Sequence, residues 1–185
     1  FILLSKTLNI ISTIKSRTIK FHLSGMNNDE LGVSKEIYYF FDGNENDILE
    51  FKKQNLSLDD IEFKINTVED ILQIIFEMKN YATGELAIKN NLDLEIKYNK
   101  SIELLAHRIR FWDIENVYFF INEIESELKK EKEFLINFLS KIIINVKHSL
   151  EADELKKLIN LENSIRSNVN VKSVIFNFFD ILQSF

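Results

Sequence analysis

A chain of 185 residues with no proline and only four glycines has little in it that can stop a helix. Proline breaks the helical hydrogen-bond ladder and glycine weakens it through backbone entropy. Wherever apolar residues recur at helical spacing, long helices can therefore run uninterrupted. From residue 100 they recur almost to the end of the chain. Ser101 is placed to cap a helix carrying Ile102, Leu105, Ala106, Ile109 and Trp112. Asp113 starts the next, with Val117, Phe120, Ile121, Ile124 and Leu128 on one face. Residues 133–148, 152–167 and 171–185 repeat the pattern. Stripes this wide face a core, and short loops between successive helices make antiparallel neighbours. An ordinary helical bundle accounts for all of it.

The middle of the chain is more broken. Residues 24–32 read as a polar connection and residues 34–41 as a helix with Ile37, Phe40 and Phe41 on one side. Asp42-Gly43-Asn44 supplies a glycine stop followed by a capping candidate for a helix over 45–53. Ser57 can cap a short helix over 58–64. Thr67 and Asp70 form a capping-box variant ahead of Val68, Ile71, Leu72, Ile75 and Phe76. Over 81–98 the pattern is weakest: Gly84 and Asn90-Asn91 suggest a turn, followed by a short helix or an extended piece.

The first 23 residues, FILLSKTLNIISTIKSRTIKFHL, are patterned differently. Residues 1–4 are an apolar run suited to a buried strand. Residues 19–23 alternate Ile19, Phe21 and Leu23 with Lys20 and His22, as a half-covered strand does. Between them Ile10, Ile11 and Ile14 recur at helical spacing, which leaves Ser16-Arg17 at the helix exit. An arginine there is a planar, permanently charged fork suited to phosphate oxygens. On spacing alone the simpler reading is preferred, an arginine that favours the negative end of a helix dipole and points at water.

The segment resembles bacterial clamp-loader subunits of the AAA+ family, most of all the delta prime type of the DNA polymerase III clamp loader. Thr13, Ile14, Ser16 and Arg17 fall on that family's TI-x-SR signature, and Ser5 falls where it carries its sensor-1 hydroxyl. Ser12 and Thr18 stand where the family has Pro and Cys. The stretch 42–51 is similar to the lid that follows, with Gly43 at its corner. Asn168-Val169-Asn170 and the helix after it are similar to the start of the last collar helix, although Asn-x-Asn before a helix is also plain capping chemistry.

The resemblance implies a mainly α fold: the end of an AAA+ α/β module with two short strands at 1–24, a reduced helical lid at 25–56, and an all-helical collar-type domain at 57–185. It implies that Arg17, supported by Ser16, is an arginine finger that reaches in trans to ATP on a neighbouring subunit. The chain itself would bind no cofactor and hydrolyse nothing. Val171, Val174, Ile175 and Phe178 would meet other subunits of a hetero-oligomer, with the sliding clamp and primed DNA as indirect partners in the cytoplasm. The chain opens inside an apparent strand without Met, so an N-terminal portion is expected upstream. A gamma/tau-type or small clamp-loader subunit carries a similar motif. A helical scaffold or adaptor unrelated to nucleotide is the rival of another class.

Other chemistries find little support. A net charge of −6 argues against an extended nucleic-acid surface, which needs clustered Lys and Arg. The absence of cysteine rules out disulfides and thiolate metal sites. His22, His107 and His148 lie in different elements without ligand partners at helical spacing, so no metal site is expected. No apolar run approaches the length of a membrane span, and no Walker A, HExxH or nucleophile-elbow pattern occurs. The acids from Glu123 to Glu133 alternate with lysines, which marks a solvated face. Phe111, Trp112, Tyr118, Phe119 and Phe120 form an aromatic cluster that fits core packing first and a subunit interface second.

Overall fold

The computed structural model describes residues 25–41, 43–56, 58, 65–85, 91–167 and 169–184. They form nine α-helices and a 3-10 turn, with no strand among the described residues. The strands expected at 1–4 and 19–23 lie outside them. The chain divides into two compact units, Phe1–Leu49 and Glu50–Phe185.

The first unit contains α1 (Asn28–Leu31), α2 (Lys35–Phe40) and the start of α3 (Glu45–Lys53). Residues 24–32, read as a polar connection, in fact hold α1. Its single turn survives because both ends are closed. The Glu30 amide donates to Asn27 Oδ1 at 2.9 Å, and the Asn27 amide donates to Glu30 Oε2 at 2.8 Å. Gly32 then takes the left-handed conformation, φ 62°, that ends a helix. Ser34 caps α2 through the Ile37 amide, 3.3 Å away. Gly43 turns the chain into α3 at φ 69°, and a Cβ there would stand 2.8 Å from the Tyr38 hydroxyl. Among the described residues of this unit, Leu31, Phe41 and Ile48 are the buried apolar ones.

The second unit holds the main core, built from α4 (Val68–Ala82), α5 (Asn91–Arg108), the 3-10 turn (Ile109–Phe111), α6 (Ile114–Leu128), α7 (Lys132–Val146), α8 (Ala152–Ser164) and α9 (Val171–Ser184). The packing closes on itself. Helix α4 lies on α5 and α6, α5 on α7, α7 on α8, α8 on α9, and α9 returns to α6. One apolar cluster fills the circuit, from Val68 and Ile75 through Leu105, Phe120 and Leu139 to Phe178 and Leu182. Its helices start where the caps dictate. The Thr67 amide donates to Asp70 Oδ2 at 2.9 Å while the Asp70 amide donates to Thr67 Oγ1 at 3.2 Å. Asp113 accepts from the Asn116 amide at 2.8 Å, and Asn170 from the Ser173 amide at 3.3 Å.

Ser101 does not cap a helix. It lies inside α5, fully buried, and its hydroxyl donates to the Lys97 carbonyl at 2.7 Å. The helix starts eleven residues earlier than the cap reading placed it, at Asn91, in the stretch whose pattern was weakest. Leu92, Leu94, Ile96, Tyr98, Asn99 and Ile102 are all buried. A helix enclosed over most of its circumference needs no single apolar stripe, so its sequence shows no clean helical period. Trp112, expected on the same helix, instead follows the 3-10 turn in extended conformation. Among the described residues, no helix is long and apolar enough to cross a membrane.

Candidate functional site

Arg17, Ser16 and Ser5, the residues to which the resemblance assigns chemistry, lie outside the described residues, as does His22. His107 lies in the last turn of α5 and His148 follows α7, both exposed. No group of three His, Cys, Asp or Glu side chains that could hold a metal occurs among the described residues.

The four residues assigned to a subunit interface sit on α9. Val174, Ile175 and Phe178 belong to the chain's own core, with Ile175 and Phe178 fully buried, and Val171 packs against its edge. They recur at helical spacing because they face α6 and α8. A side chain with no exposed surface offers little to a partner. What α9 presents outward is the other side of the helix, including Phe176 and Asp180.

The aromatic cluster divides in the same way. Phe120 is fully buried, its ring edge-on to Phe179 at 5.3 Å and to Trp112 at 5.5 Å. Phe111 is 75% exposed, and Tyr118 and Phe119 are close to half exposed. The Arg110 guanidinium lies 4.8 Å from the centre of the Phe111 ring. Thus the core reading holds for Phe120, while its neighbours Phe111, Tyr118 and Phe119 face solvent.

Of these, Tyr118 borders a recess where α6 meets α9. Val117 and Ile121, both buried, form its base. Ile114, 66% exposed, stands on its α6 side with Tyr118; Phe176 stands opposite, its ring centre 5.6 Å from that of Tyr118. Asp180 adds the only charge in the lining. No cation pairs with this carboxylate among the described residues. The enclosed volume is about 50 Å³, far below the usual range of small-molecule sites, about 300–1,000 Å³.

Sequence reasoning missed this place because its parts come from two helices. Ile114 and Tyr118 are one helical turn apart, at the edge of the α6 core stripe, and that spacing was the available signal. Nothing in one dimension brings Phe176 and Asp180 beside them.

The perturbed carboxylates lie elsewhere and serve local structure. Hydrogen bonds from the Asn66 and Thr67 amides hold the Asp70 carboxyl below its ordinary range. A hydrogen bond from Gln54, with the Lys53 charge, does the same for Glu50. Lys79, nearly buried on α4, reaches Glu85 at 3.5 Å and Glu127 of α6 at 3.9 Å, an ion-pair link between helices. No known protein family matches the chain, and no curated protein or solved structure does either.

Proposed function

We propose that this chain is the C-terminal part of a clamp-loader subunit of the delta prime type, a non-catalytic member of the AAA+ assembly that places the sliding clamp on primed DNA. The observation that carries the reading is Thr13-Ile14-Lys15-Ser16-Arg17, set between two strand-like apolar runs. The helical second unit is compatible with a collar-type domain, and Asn170 caps α9 at the Asn-x-Asn corner.

In this reading residues 1–24 end the AAA+ module and residues 25–56 form the reduced lid. Arg17 projects toward ATP held by the adjacent subunit. Its guanidinium stabilises the charge that builds on the phosphoryl oxygens during transfer, and its planar fork matches two of those oxygens at once. Ser16 supports its placement. Because the finger acts in trans, this chain needs no nucleotide of its own.

The test is reconstitution of the full-length subunit with its clamp-loader partners and measurement of ATP turnover with clamp and primed DNA. Arg17→Ala should lower turnover by up to about 10³-fold, less where several sites share the work. Arg17→Lys should recover only part of it, since an ammonium keeps the charge and loses the fork. Unchanged turnover in an assembled complex containing Arg17→Ala refutes the finger. A chain that ignores clamp-loader subunits in a pull-down and retains an unrelated protein belongs to the adaptor class instead.

A further inference from the structure

We infer that α8 is a hinged cover on the core: it opens as a unit while the other helices of the second unit stay folded. The inference is independent of the nucleotide reading, since it uses no residue of the first unit.

The helices of the second unit pack in a closed circuit. Any one member of such a circuit can leave while the rest still follow one another in contact. The helix that leaves most readily is the one that buries least, because tertiary burial of its apolar face is what holds a short helix in place. Leu158 is the one buried residue of α8, against five each in α4, α6 and α9 and seven in α7. Its first half, residues 152–157, holds no buried residue. No ion pair ties that half to another helix among the described residues.

The opposite end is held. Ile165, directly after α8, is fully buried. The Ser140 hydroxyl of α7 donates to Glu162 Oε1 at 3.0 Å, and Arg166 reaches Glu133 at 3.2 Å. Residues 165–170 and 147–151, which join α8 to α9 and α7 to α8, are the hinges. The Ser140–Glu162 bond is the latch between them.

The neighbours do not depend on α8. Helix α7 keeps α5, and α9 keeps α6 and the 3-10 turn. Opening therefore uncovers Leu158 and the faces of α7 and α9 that α8 covers, an apolar surface hidden in the closed form. Its exposure is set by the equilibrium of one helix and not by unfolding of the chain.

Native-state amide exchange on the full chain in low urea tests this. Amides in the middle of α8 should share one opening equilibrium and be less protected than those of α7 and α9 by about tenfold or more. Their dependence on urea should be shallow but measurable, since only a small surface is exposed. Ile121→Val is the discriminating variant. Ile121 is buried on α6, which is not next to α8 in the circuit, and it stays packed whether α8 is open or closed. The variant should speed exchange in α7 and α9 severalfold through global unfolding and leave α8 unchanged. A second readout uses the lack of native cysteine: Leu158→Cys supplies the only thiol, and its rate of reaction with a thiol reagent should also ignore Ile121→Val.

Exchange in α8 with the protection and urea slope of α7 would overturn the inference. So would protection that rises steadily from residue 152 inward without urea dependence, which is fraying of one end. Exchange in α8 or thiol labelling that follows Ile121→Val in step with α7 would overturn it as well.

Discussion

Phe120→Ala should cost about 4 kcal/mol of stability, and Phe119→Ala, one residue away, less than about 1 kcal/mol. The contrast follows from the register of α6. Phe120 has no exposed surface and Phe119 is 40% exposed. Truncating a buried phenylalanine removes its transfer free energy and leaves a cavity, together about 3–5 kcal/mol. Phe120 also makes two edge-on ring contacts, with Trp112 at 5.5 Å and with Phe179 at 5.3 Å. Such contacts favour the upper half of that range. With an m-value near 2 kcal/mol per molar urea, a 4 kcal/mol loss lowers the midpoint by about 2 M. Far-UV circular dichroism in urea should be the primary assay, because losing the Phe120 ring changes the surroundings of Trp112 directly. Trp112 fluorescence then checks whether both probes report one transition. A Phe119→Ala loss equal to or greater than that of Phe120→Ala refutes the register of α6, and with it the placement of Tyr118 and Ile114 beside the recess.

Thr67→Ala should cost about 1 kcal/mol, the usual value of a helix N-cap, in thermal or urea unfolding. Asp70, across the same capping box, is held below its ordinary pKa by the Asn66 and Thr67 amides. Its stabilising effect is therefore present above the unfolded-state pKa and fades as pH falls through the lowered folded value; in Asp70→Asn, the acid-side slope of stability against pH should be shallower. Gly43→Ala should destabilise the first unit by more than about 1 kcal/mol, since it combines a left-handed backbone at φ 69° with a Cβ 2.8 Å from the Tyr38 hydroxyl. Amide exchange around α2 and α3 reads that loss locally, and protection equal to wild type would refute it.

The helices that were legible in sequence are those with one buried side. α4, α6, α7 and α9 each carry a stripe against the core, and their caps Thr67, Asp113 and Asn170 act where the sequence places them. α5 was not legible over its first half. Leu92, Leu94, Ile96 and Tyr98 alternate with polar residues as a strand would, yet they are buried in a helix. Alternation marks a strand only when one face of the element is covered. The buried polar groups confirm how enclosed α5 is: Asn99 accepts from the Lys141 ammonium at 2.8 Å, and Ser101 bonds back to the preceding turn. α1 escaped notice for the opposite reason. Four residues give no period to read, and its signal was the Asn27–Glu30 capping box alone. The recess was illegible because α6 and α9 meet only in three dimensions. The proposed finger is a separate matter, resting on residues 1–24, which lie outside the described residues.

The outward side of α9 then decides how this chain can hold a neighbour. An apolar face on a final helix reads in sequence as an interface, but Ile175 and Phe178 are fully buried in the chain's own core. Phe178→Ala should therefore act on folding, at about 3–5 kcal/mol, and affect assembly only through the loss of folded protein. Phe176 is 36% exposed and touches Tyr118 across the recess. Phe176→Ser should cost about 1 kcal/mol or less and still weaken co-purification with a partner that uses this face. Thermal unfolding and quantitative pull-down on the same preparations separate the two effects. If Phe176→Ser leaves every association intact while a folded Phe178→Leu variant abolishes one, then α9 must turn its buried face outward on assembly, and the division between core and contact surface drawn from this structure is refuted.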